Sequence, residues 1–122
     1  MINPWTVLGA LRQITALDDN GAASALPLCA SAAAEIDGKI KDSAYEDNIL
    51  VIEAAASIAY HKMILLKAAN GDIETSFKAG DISVAHDLKN SLETASQIKE
   101  SALKNAAPYL NDDGFLFRQV GV

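Results

Sequence analysis

Apolar residues recur at helical spacing through four stretches of this chain. In the first, residues 4 to 17, Trp5, Leu8, Leu11 (or Arg12) and Thr15 fall on one side, with Val7, Ile14 and Leu17 beside them. Pro4 suits a first turn, where its missing amide costs nothing. Asp18-Asp19-Asn20-Gly21 then reads as a turn. In the second stretch, residues 22 to 40, Leu28, Ala32, Ile36 and Ile40 recur every four positions and make one apolar face. Proline is poorly tolerated inside a helix, so Pro27 predicts a start near Ala25.

Ser43-Ala44-Tyr45-Glu46 has the form of a capping box, which places the start of the third helix near Ala44. Ile49, Ile52, Ala56, Ala59, Met63 and Leu66 follow at spacings of three and four. Asn70-Gly71 is its stop signal. At about 1.5 Å per residue this helix is about 40 Å long and forms the spine of the domain. Ile49, Ile52, Met63 and Leu66 are its expected core residues. The fourth helix is predicted over residues 86 to 110. Leu88, Leu92, Ala95, Ile98, Ala102, Ala106 and Tyr109 form its stripe, and Pro108 ends or kinks it.

Two stretches depart from this period. Residues 73 to 84 carry β-branched residues around Ala79-Gly80-Asp81, which predicts a small hairpin between the two longest helices. After the turn Asn111-Asp112-Asp113-Gly114, an extended tail over residues 112–122 holds Phe115 and Phe117. The expected architecture is mainly α. It is a single domain over residues 1–122, a compact bundle of three to four helices with that hairpin and that tail.

Composition narrows the function. The chain has 122 residues, half of them apolar, and a formal net charge of -6. Much of the apolar content is alanine, which favours helix but adds little bulk. A thin core hints that neighbouring subunits supply part of the stability. The ten basic residues are scattered, with no patch to neutralise phosphates. Neither sequence-specific nucleic-acid binding nor membrane adhesion is expected. The most apolar run, Ile49 to Leu66, is interrupted by Glu53, His61 and Lys62, so no bilayer span is expected. Cys29 is the only cysteine and cannot form an internal disulfide. Its alanine neighbours point to a small buried side chain.

Reactive groups do not converge in the sequence. His61 reads as a helix-surface or core-edge residue, and His86 as a surface or capping residue where a helix starts. Serine–lysine pairs at Ser96/Lys99 and Ser101/Lys104 lack any companion motif. Asp18-Asp19-Asn20-Gly21 lacks the glycine position and terminal glutamate of a calcium loop. No catalytic residue, cofactor or metal site is expected, and the chain reads as a binder of other proteins.

The hairpin and the aromatic tail are the candidate contact elements. Either they fold back to cap the core, or they serve as arms, one offering strand edges and the other aromatic anchors. The two roles are compatible. Three segments carry a resemblance: the helix around Ala54-Ala55-Ala56-Ser57-Ile58-Ala59-Tyr60, the stretch Ser76 to Val84, and the ending Ala106 to Phe117. Across residues 20 to 120 this order of elements resembles the small head–tail connector, or adaptor, proteins of tailed bacteriophages and prophages.

The resemblance implies a structural virion subunit at the head–tail junction, made in the host cytoplasm. It would dock on the portal protein, receive a tail or stopper protein, and self-associate into a ring by heterologous contacts. Phe77, Lys78, Gly80, Asp81, Ile82, Phe115, Phe117 and Arg118 are the expected partner-binding residues. Another head- or tail-completion factor, or an intracellular helical domain that binds a partner helix in a groove, are the alternatives.

Overall fold

The computed structural model describes residues 1–69 and 82–111, and for residues 82–89 the backbone alone. Four α-helices make up most of the described chain: α1 (Pro4–Ile14), α2 (Asp19–Asp37), α3 (Ile49–Ala69) and α4 (Ile82–Ala106). Short 3₁₀ turns occupy Ser43–Asp47 and Ala107–Tyr109. The mainly α expectation holds.

Side-chain caps set where the helices begin. Asn3 Oδ1 accepts from the Trp5 amide at 2.9 Å and starts α1, with Pro4 as its first residue. Asp18 Oδ1 accepts from the Gly21 amide at 2.7 Å, so the predicted turn at 18–21 is a helix start. Helix α2 therefore begins six residues before the expected Ala25 and carries Pro27 inside it. The missing amide of Pro27 leaves the Ala23 carbonyl without its helical partner. Both residues are exposed, so water can serve that carbonyl.

The third helix corrects the sequence reading in a similar way. Ser43-Ala44-Tyr45-Glu46 forms a 3₁₀ turn whose own cap is Asp42, with Oδ1 2.9 Å from the Ala44 amide. The α-helix starts at Ile49. Asn48 Oδ1 accepts from the Leu50 and Val51 amides at 2.9 and 3.4 Å. With 21 residues, α3 is about 32 Å long, shorter than expected.

The expected hairpin also needs correction. Ile82, Ser83 and Val84, assigned to its second strand, are the first residues of α4. Ile82 and Val84 are β-branched, which costs little in a helix of 25 residues. The rest of the hairpin and the tail beyond Asn111 lie outside the described residues. No strand occurs among the described residues, only an isolated antiparallel bridge between Ile40 and Leu110. There Lys41 N donates to Tyr109 O at 3.0 Å and Asn111 N to Lys39 O at 2.6 Å. This bridge ties the end of α2 to the end of α4. Tyr45 and Tyr109 stack edge to face beside it, 5.1 Å between ring centres.

Helix α3 is the hub. It packs against α1, α2 and α4, and α1 also packs against α2. Val51, Ile52, Ala54, Ala55, Ala56, Ile58 and Ala59 are all buried. The alanines let the neighbouring helices approach closely. Val7, Leu8 and Leu11 from α1, Cys29 and Ile36 from α2, and Leu103 and Leu110 complete the main core. Among the described residues Ser57 is the one buried polar side chain, and its hydroxyl donates to Ala54 O at 2.7 Å.

Ile52 and Met63 are core, as expected. Ile49 and Leu66 are not: they are 69% and 46% exposed. Ile49 follows the cap directly, before the turn that docks on α1. By length and composition α3 is apolar enough to cross a membrane, with a mean hydropathy of 1.7 over its best window. Its three interruptions do not offset its aliphatic content, contrary to expectation. A core helix buried on several sides has the same length and composition, and more than half of the most apolar stretch of α3 is buried here.

Candidate functional site

An open groove runs between α1 and α4, with α3 as its floor. It arises because both walls pack on α3 without substantial contact with each other. The α1 wall is the stripe Thr6, Gly9, Ala10, Gln13 and Ile14. The floor is Ile49, Ile52, Glu53 and Ala56, with Asp47 at one end. The α4 wall is Thr94, Gln97, Ile98, Ser101, Ala102 and Asn105. Each set follows the three-and-four spacing of one helix face.

Small side chains explain why the walls do not close. Gly9 and Ala10 face Ser101 and Ala102 across a volume of about 920 Å³. A Cβ built on Gly9 would meet nothing within 4 Å. The interior is apolar, through Ile14, Ile49, Ile52 and Ile98. The rim is neutral and polar except for two carboxylates, Asp47 and Glu53. Among the described residues no lysine, arginine or histidine lines it.

Large apolar side chains stand exposed near one end. Ile49 lies on the floor there, and Trp5 is 65% exposed. Trp5, Gly9 and Gln13 are spaced by four and so share one line on α1. Trp5 thus continues the groove wall by one turn. The spacing puts Trp5 on one side of the helix with Leu8 and Leu11. The helix buries Val7, Leu8 and Leu11, and Trp5 sits two residues, about 200° of rotation, from Val7.

Apart from Asp47 and Glu53, the titratable groups with notable surroundings lie elsewhere. His61 on α3 is partly buried, and the Ser96 hydroxyl on α4 lies 3.3 Å from its Nε2. Burial, and secondarily the nearby Lys99 ammonium, hold the His61 pKa below its usual 6.5. Neither residue lines the groove, and Ser96 is exposed. The Lys62 ammonium bridges to Ser31 Oγ at 3.0 Å and Glu35 Oε2 at 3.5 Å. Cys29 is fully buried in the main core, and burial pushes its thiol up to about 11. Among the described residues, no three of His, Cys, Asp and Glu gather as metal ligands would.

Of the residues expected to bind partners, Ile82 opens α4. Phe77, Lys78, Gly80, Asp81, Phe115, Phe117 and Arg118 lie outside the described residues. The structure brings together a different set, on α1, α3 and α4. One signal for it was present in the sequence. Gly9 interrupts an otherwise good helix former, and such a glycine often marks a close approach by another backbone.

Compared with known proteins, the chain matches no family model, no curated protein and no solved structure.

Proposed function

We propose that this chain works by binding other proteins, as a non-catalytic structural subunit of the phage head–tail connector kind. The observation that carries the reading is the open apolar groove with Trp5 and Ile49 exposed at one end. Burying that surface against a partner removes apolar area from water, and a tryptophan is among the side chains that contribute most at interfaces. The resemblance in the sequence supplies the specific form, in which the partners are a portal ring and a tail or stopper protein. The chain's negative charge suits a channel through which DNA passes without sticking.

A second reading is favoured by the groove itself. Two helical walls with an apolar floor are the geometry in which an amphipathic helix docks, as in intracellular interaction domains. Such a domain would be a monomer or dimer with no affinity for a portal.

The test is co-elution on a sizing column of the purified chain with a phage portal protein. The native chain is expected to shift into the portal fraction. Trp5→Ala and Ile49→Ala remove exposed side chains and so leave the fold intact; each is expected to weaken the complex about tenfold or more. A chain that ignores portal, tail and stopper proteins alike would defeat the connector reading.

A further inference from the structure

We infer that the α1–α4 groove receives an amphipathic helix of another protein, about three turns long, whose apolar stripe is flanked by lysine or arginine. The inference rests on the protein-binding reading above and names the class of partner for that site. The length comes from the α4 wall, where residues 94 to 105 line the groove and span about 17 Å.

The charge argument separates this occupant from a second copy. Among the described residues every ionisable group on the lining is a carboxylate, Asp47 or Glu53, and Glu53 pairs with no described cation. A helix with cations beside its stripe would meet them with complementary sign. A second copy brings a formal net charge of -6, which opposes approach to an acidic rim.

Gly9 supplies an independent argument. A glycine in a helix interior costs stability relative to alanine. Nothing among the described residues requires it, because a Cβ there would meet none of them within 4 Å. Its left-out side chain is explained if another helix lies close against α1 at that turn. Trp5, one turn away on the same line, would cover the docked helix from the side.

The experiment uses the whole chain and a labelled 14-residue leucine/alanine helix carrying lysines beside its apolar stripe. Glutamate-bearing and serine-bearing versions serve as controls, and fluorescence anisotropy reads binding. Trp5 is the only tryptophan, so its emission reports occupancy of this groove. The lysine peptide is expected to bind more tightly than the serine one, to blue-shift Trp5, and to weaken with added salt. Glu53→Gln is expected to weaken the lysine peptide about two- to five-fold and leave the serine peptide unchanged. Gly9→Leu fills the groove with a better helix former, and is expected to abolish binding of both with circular dichroism unchanged.

Equal binding of lysine and glutamate peptides, or no effect of Glu53→Gln, overturns the inference. So does a Trp5 shift that depends on protein concentration without peptide, which would assign the groove to a second copy. Portal binding that survives Gly9→Leu, with no peptide bound, defeats the inference and leaves the protein-binding reading standing. Failure of every peptide and every protein partner defeats both.

Discussion

At the residue scale, His61 ties the contact between α3 and α4 to pH. Its folded-state pKa lies below 6.5, chiefly through burial and then through Lys99. The unfolded chain therefore binds a proton at higher pH than the folded one does. Stability from neutral His61 is fully present above about pH 6.5 and is lost as pH falls toward the folded value. The urea midpoint is expected to drop between about pH 7.5 and about pH 5, with a smaller drop in His61→Gln. Identical pH profiles for the two proteins would show that His61 is not coupled to folding. Cys29 offers a second probe at the same scale. A thiol raised to about 11 in a closed core holds little thiolate. Native Cys29 is expected to react with iodoacetamide about two orders of magnitude more slowly than the urea-unfolded chain. Equal rates would place it at the surface. Both side chains were legible in the sequence, Cys29 from its alanine neighbours and His61 from its place beside Tyr60 on a long apolar helix. Ile49 and Leu66 were not, because spacing places a residue on a face without saying where the neighbouring helix ends.

At the scale of elements, the helices were legible and their starts were not. Period sets the face of a helix, whereas its first residue depends on which nearby oxygen captures the free amides. Ser43 and Glu46 have the right chemistry at the right spacing for a capping box. Yet Asn48, five residues after Ser43, caps α3, and Asp42 caps the 3₁₀ turn before it. Asn48→Ala is accordingly expected to lower stability by about 1 kcal/mol, measured by urea unfolding. Ser43→Ala should change it by less than about 0.5 kcal/mol. The reverse order would restore the capping box and move the start of α3 back to Ala44. Pro27 misled for a related reason. Its penalty in a helix assumes a carbonyl cut off from water, and the Ala23 carbonyl lies on the exposed side of α2. The segment Ile82 to Val84 misled because alternation over three residues fits strand and helix about equally well.

At the scale of the whole molecule, the candidate site was the least legible part, since it belongs to no single element. Each wall is an ordinary mixed helix face, and only the order of α1 and α4 around α3 turns two faces into a groove. The alanines of α3 act in opposite ways on its different sides. Ala55 is fully buried, and its short side chain is what allows a neighbouring helix to come close. On the groove side the same economy of bulk, shared by Gly9, Ala10 and Ala102, leaves space that the chain does not fill. Adding atoms should therefore have opposite consequences at two positions. Ala55→Leu forces packed helices apart and is expected to cost about 1–3 kcal/mol. Gly9→Ala places a methyl in open space and removes a flexible helix residue, and is expected to stabilise by about 0.5–1 kcal/mol. Urea unfolding of the two variants under one set of conditions measures both. A loss at Gly9 comparable to the loss at Ala55 would mean that the α1 wall is already covered within the chain, and no groove would remain for a partner to enter.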